Sequence, residues 1–252
     1  MITFQPRRKY TWKPDVPDFR DHVFAAKIAS LPSAVDLRPR LNKVFDQGNL
    51  GSCTGNAIST CIDMQRVKQG SIAVTPSRLL IYYMERVMEG SVNYDAGAMI
   101  RDGIKAVNKQ GYVQETLWPY TISKFKDKPP VSVFNEATKN TIKSYERLDN
   151  SVLNDLKTCL SLGFAFVFGF AVYDSFETAA VAKTGIVPMP ARKDKFLGGH
   201  AVCCVGYNDA TSRFTVRNSW GTGWGDKGHF YIPYSYLTNT SLADDFWTIK
   251  LT

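Results

Sequence analysis

Gln47-Gly48-Asn49-Leu50-Gly51-Ser52-Cys53-Thr54 is the stretch on which the reading of this chain turns. It puts a glutamine six residues ahead of a cysteine, and the cysteine opens a helical pattern. Ala57, Ile58, Cys61 and Ile62, then Met64 and Val67, recur near three-and-four spacing as far as Gly70. Far downstream, His200 follows Gly198-Gly199 and begins the apolar run 201–207, while Asn218 ends the alternating run 213–217. A thiol, an imidazole and two side-chain amides are the parts of a cysteine acyl-transfer site.

The chemistry explains why these residue types are needed. A free thiol titrates near pH ~8.5, so a nucleophile needs its thiolate stabilised, which a helix N-terminus and an adjacent imidazolium both do. Cys53 lies in the first turn of its helix. Of the three histidines, His22 belongs to a polar leader and His229 opens a later strand after Gly228, so His200 is the expected partner. An imidazole that shuttles protons must be held in one tautomer. Asn218, brought beside His200 by antiparallel pairing, supplies an oxygen for that purpose, with Trp220 as a cover against water. The backbone N–H of Cys53 and the Gln47 amide are the expected donors to a tetrahedral oxyanion, each worth about 2.7 to 4 kcal/mol.

The 252 residues, 44% of them hydrophobic, suffice for one large domain or two lobes sharing a cleft. No apolar run approaches the roughly 18 residues of a membrane span, and the first 30 residues lack the apolar core of a signal peptide. Net charge is +8, but the densest basic clusters, Arg7-Arg8-Lys9 and Arg192-Lys193-Asp194-Lys195, are short. They read as solvated surface and argue against a nucleic-acid partner. Five cysteines cannot all pair, and Cys61, Cys203 and Cys204 fall in apolar patterns, as buried reduced thiols do; Cys159 joins them as a packing residue. That usage suits a reducing compartment. With no Cys-x-x-Cys and three histidines, neither a metal nor another cofactor is expected. Gly221-Thr222-Gly223-Trp224-Gly225 lacks the lysine of a phosphate loop and reads as a turn.

Three helices precede the strands. The second is predicted with Thr75 as N-cap, Pro76 at its first position and Gly90 as its stop, and the third spans about 97–110 with Gly111 as C-cap. A Lys- and Pro-rich loop, 124–130, marks the crossing between halves. A short helix over 152–162 and strands at 164–172, 201–207, 213–217 and 229–232 follow. Helices first and strands later give an α+β chain with its site at the junction. The leading 30 residues form an appendage, and its Trp12, Phe19 and Phe24 imply docking on the body rather than a disordered tail.

Taken together, Gln47-Gly48-x-x-Gly51-Ser52-Cys53, His200-Ala201-Val202 and Asn218-Ser219-Trp220-Gly221-Thr222-Gly223-Trp224-Gly225 resemble the papain family of cysteine peptidases. Leu31-Pro32-Ser33-Ala34-Val35-Asp36-Leu37-Arg38 looks like a mature N-terminus of that family, and the similarity runs to near Tyr231. The resemblance implies a helical left lobe (about 31–123) and a barrel-like right lobe (about 124–252), with an N-terminal extension, 1–30, of short bacterial or viral type. It implies an endopeptidase working through an acyl-enzyme, with Cys53 as nucleophile, His200 as acid and base, Asn218 as its orienter, Gln47 as oxyanion donor and Trp220 as shield. Two departures stand out: Leu50 replaces a disulfide cysteine, and Thr54 an aromatic. The glycine pair that binds substrate backbone is here Gly97-Ala98 or Ala96-Gly97, and Gly199 and Trp220 are further expected substrate contacts. Ungapped alignment puts Phe168 at the pocket for the second residue before the cut, implying small or medium apolar preference. The extension is expected to lie across the cleft or a lobe surface of a monomer acting on peptides or proteins. Rival readings are another acyl transfer on the same triad, such as transpeptidation or deamidation, and a silent binding module.

Overall fold

A computed structural model describes residues 8–251. Its elements run, in chain order, β1 (Trp12–Lys13), β2 (Ala34–Asp36), α1 (Cys53–Lys68), α2 (Arg78–Met88), β3 (Ala98–Met99), α3 (Ile100–Gln110), α4 (Val131–Ala137), β4 (Ser144–Arg147), α5 (Leu153–Ser161), β5 (Phe166–Tyr173), β6 (Phe196–Asn208), β7 (Arg213–Arg217), β8 (His229–Pro233) and β9 (Ala243–Lys250). This is the α+β order expected from helices preceding strands.

α1 is buried on all sides from Cys53 through Gln65, because it is the wedge between the two halves. One side meets α2 and α3; the other meets β6. Ile58, Ile62 and Met64 are fully enclosed, so truncating Ile62 to Ala would cost about 2–5 kcal/mol. α2 starts later than predicted. Ser77 is its N-cap, accepting the Leu80 N–H at 3.2 Å, while the Pro76 carbonyl is occupied by the Ser59 hydroxyl at 2.8 Å. α3 likewise starts three residues late, because Ala98–Met99 is extended and pairs with β1.

The right half is a sheet in the order β4-β9-β5-β6-β7-β8, with β2 added antiparallel to β6. It curls around an aromatic core of Phe166, Phe168, Phe170, Phe214, Phe230 and Phe246 without closing into a barrel. β4 and β9 were absent from the sequence reading, and α4 fell beyond the predicted crossing loop. α4 packs Phe134 against Tyr83 of α2, so the chain crosses to the sheet after Asn140 and not at 124–130. The five cysteines are all buried and free. Among the described residues, no helix is long and apolar enough to cross a membrane.

The extension docks. Phe24 is buried, and Phe24 N–H and His22 C=O bond the backbone of Arg147 at 2.8 and 2.7 Å. Trp12 is half-buried in the groove between the halves, whereas Phe19 is 99% exposed and anchors nothing.

Candidate active site

Cys53 is the first residue of α1, and the helix N-terminus points its unpaired N–H groups at the sulfur. The loop before it is held by a carboxylate. Asp95 accepts the Gly51 N–H at 2.9 Å and the Tyr82 hydroxyl at 2.7 Å, at the point where a disulfide would otherwise tie this loop. Leu50, at the position of the missing cysteine, packs with Leu79, Tyr82 and Ala98.

β6 brings His200 to the same place. The thiol faces the backbone N–H of Ala201, the residue next to His200, and the Thr11 hydroxyl of the extension. His200 Nε2 lies 2.9 Å from Asn218 Oδ1, and the Ser219 backbone N–H donates to that same atom at 2.9 Å. Two converging contacts, one an obligatory donor, identify the atom as the carbonyl oxygen. Neutral His200 is therefore protonated on Nε2, leaving Nδ1, which is buried and has no partner, with its lone pair free to accept a proton. Trp220 stacks on the imidazole at 4.9 Å and 19° and screens this bond from water.

Gln47 is buried at the same junction. Its Nε2 donates to the Leu50 carbonyl at 2.9 Å, and its Oε1 accepts the Ser219 hydroxyl at 2.5 Å. Its backbone N–H bonds the Ser219 carbonyl at 2.8 Å. The Gln47 loop and the Asn218-Ser219 loop are thus stitched together, which is how one element of each half reaches a common point. Sequence reasoning missed Ser219 in this role. Its hydroxyl holds the amide oxygen of Gln47, which turns the NH₂ group toward the Cys53 loop.

The extension runs straight over this site. Trp12 and Lys13 pair in parallel with Ala98 and Met99, and Thr11 bridges Gly199 on the opposite wall. The Thr11 hydroxyl donates to the Gly51 carbonyl at 2.8 Å, and Tyr10 packs edge-on against His200 and Trp220. Burial beneath it pushes the Cys53 thiol up to about 11 and His200 down to about 4, the Asn218 bond opposing the latter shift. Desolvation thus outweighs the hydrogen bonds offered to the thiol and the imidazole, and burial favours the neutral form of each.

The substrate-side residues divide. Gly97, at φ +69°, must be glycine, since a Cβ there would lie 1.8 Å from the Thr11 carbonyl oxygen. Ala98 points its methyl into the left-half core, so it leaves the strand edge free to pair. Gly199 lies under Trp12, where a Cβ would meet the indole at 2.5 Å. Phe168 does not line the cleft: it is fully buried and stacked on Phe246 at 5.1 Å. Its neighbour Gly169 faces the groove instead, at a position where a Cβ would sit 1.9 Å from the Trp12 ring. Alternation along the strand decides this, and a one-residue offset reverses the face. Of the first basic cluster, Lys9 is exposed as expected, whereas Arg8 is largely covered. Arg8 stacks on Trp220 at 3.8 Å and pairs with Glu177 at 2.9 Å, and Lys9 pairs with Asp95 at 2.5 Å; Arg7 lies outside the described residues. Among the described residues, no group of His, Cys, Asp and Glu could hold a metal ion.

A thiol at a helix N-terminus, an imidazole oriented by a carbonyl oxygen and a cleft between a helical and a sheet half define a cysteine-nucleophile hydrolase of two-lobed type. Residues 31–246 match the profile of papain family cysteine proteases. An uncharacterized peptidase C1-like protein of Acanthamoeba polyphaga mimivirus is 42% identical, over 99% of this chain and 82% of that protein. The crystal structure of xylellain, a cysteine protease from Xylella fastidiosa, superposes with a TM-score of 0.92 at 42% identity, over 99% of this chain and all of that one. Digestive procathepsin L 3 of the Tenebrio molitor larval midgut shares the fold, with a TM-score of 0.75 at 18% identity over 92% of this chain and 74% of its own. The chain belongs to the papain family of cysteine proteases.

Proposed function

We propose that this protein is an endopeptidase in which Cys53, His200, Asn218 and Gln47 act together, held in a closed state by its extension. The observation that carries the reading is the pairing of His200 Nε2 with Asn218 Oδ1, which leaves Nδ1 buried and unpartnered, on the residue next to the Ala201 N–H that the Cys53 thiol faces.

With the cleft open, water and substrate dipoles relieve the desolvation, and the proton moves from Cys53 Sγ to His200 Nδ1. The thiolate attacks the carbonyl carbon of the scissile bond, and the oxyanion is met by the Cys53 N–H and Gln47 Nε2. His200 Nδ1 gives its proton to the leaving amine as the C–N bond breaks, forming a thioester. A water, deprotonated by the same nitrogen, then attacks the thioester, releasing the acid and restoring the thiol.

The groove that Trp12 fills, with glycines at 169 and 199, supports a roomy pocket next to the cut. A bulky side chain is the expected occupant there, in place of the small one that Phe168 implied. Incubating wild type and Cys53→Ala with fluorogenic peptides and a thiol-reactive epoxide, with mass spectrometry of the protein, tests the whole reading. Turnover and labelling that vanish in Cys53→Ala support it; turnover that persists in Cys53→Ala refutes it. An added amine nucleophile appearing in the product would instead mark acyl transfer.

A further inference from the structure

The cleft presents carboxylates along the path of the extension. Four carboxylates, carried on four separate segments, receive the side chains of residues 8–13. Glu177 takes Arg8 at 2.9 Å and also the Tyr10 hydroxyl. Asp95 takes Lys9 at 2.5 Å, Glu89 takes Lys13 at 2.8 Å, and Asp245 accepts the Trp12 indole N–H at 3.1 Å. Thr11, in the middle of this run, lies at Cys53, so the acidic groups flank the nucleophile on both sides.

Two of these carboxylates, Glu89 and Asp95, are fixed independently of the extension. The second oxygen of Glu89 accepts the Met99 N–H at 2.7 Å, and Asp95 keeps its bonds to Gly51 and Tyr82. Asp245 sits at φ +57° in the bulge where β9 pairs with β5, a kink that aims its side chain beside Gly169. Trp220 adds an aromatic face, which already holds the Arg8 guanidinium at 3.8 Å. In a chain of net charge +8, Glu89, Asp95 and Glu177 thus concentrate negative charge in the catalytic groove. Fixed charges in a low-dielectric cleft focus the field on whatever enters.

We propose that the open cleft selects cationic peptides, whose lysine and arginine side chains take the seats that Arg8, Lys9 and Lys13 hold in the closed state. This rests on the peptidase reading of Cys53. The extension is then a mould of the preferred substrate: basic at three positions, aromatic between them.

The test uses the full chain carrying Lys9→Ala, Trp12→Ala and Lys13→Ala, which frees the groove. Peptides of one backbone, differing only in Lys, Gln or Glu at the flanking positions, are assayed for kcat/KM, and for binding by fluorescence anisotropy after adding Cys53→Ala. Lysine peptides should exceed glutamate peptides by about tenfold in both measurements, as expected of two or three partly exposed ion pairs. The ratio should shrink near 0.5 M salt, where the Debye length is ~4 Å, and should fall to about twofold with Glu89→Gln and Glu177→Gln. Equal or reversed selection, including no binding of any peptide, overturns the proposal. Charge-selective binding without cleavage would sink the peptidase reading and leave this one standing; cleavage without charge selection would do the reverse.

Discussion

Replacing Trp12 with Ala should open the site, and the size of the effect follows from the contacts. The indole is half-buried against Gly169 and Gly199 and donates to Asp245. A fully buried tryptophan truncated to Ala costs about 3–5 kcal/mol, and half-burial reduces this to about 2–3 kcal/mol of docking free energy. Because ~1.4 kcal/mol is a factor of ten, the fraction of molecules with the extension lifted should rise about 30- to 150-fold. The assay is the second-order rate of Cys53 alkylation, with Phe19→Ala as the control, since that ring is 99% exposed. A Trp12→Ala rate within twofold of the Phe19→Ala rate would refute the view that this indole latches the groove.

Asn218→Ala removes the oxygen at His200 Nε2, so kcat should drop by roughly the 10²-fold or more expected of a misdirected base, with KM changing little; an unchanged kcat would argue against the orienting role. Gln47→Ala takes away one oxyanion donor, for an expected loss of about 10²- to 10³-fold in kcat, measured on ester and amide substrates. Docking should also depend on pH. Burial, reinforced by their mutual repulsion, holds Asp15 up at about 6 and Asp245 at about 8 while the extension is seated. Both values are raised, so the stabilisation they permit is complete below the ordinary carboxyl value of 3.8 and is lost as pH climbs from there through 6 and 8. Hydrogen exchange of residues 8–15 in Cys53→Ala, corrected for intrinsic rates, should show protection falling over that range. Asp245→Asn should flatten the profile, and protection that instead grows with pH would contradict the assignment.

How much of this was legible in the sequence depends on how local each signal is. The residues 213–217 were read as a strand and form β7 with the same ends, because alternation and a clean boundary at Asn218 are local. The helix headed by Cys53 was equally plain. β9 was not, because Asp244-Asp245 breaks the apolar pattern of the last strand. Those acidic residues make sense only against Asp15, Arg147 and Trp12, some 97 to 233 positions away. The helix α2 was started too early, because Thr75-Pro76 and Ser77 are both acceptable caps by residue type and tertiary bonds decide between them. Phe168 was misplaced since an ungapped alignment carries no information on which face of β5 meets the groove. The role of Ser219, though it lies within a quoted motif, and the presence of Asp95 had no local signal; their partners Gln47 and Gly51 lie 172 and 44 residues off.

The ionic clip of Asp95 on Gly51 and Tyr82 has a practical corollary. A thiol nucleophile must be stored with dithiothreitol or a similar reagent, and a groove wall braced by cystine would be put at risk by the treatment that keeps the sulfur usable. Here the brace is indifferent to electrons. The melting temperature should therefore be the same in reduced and unreduced buffer, and the catalyst can be assembled and kept in one redox regime.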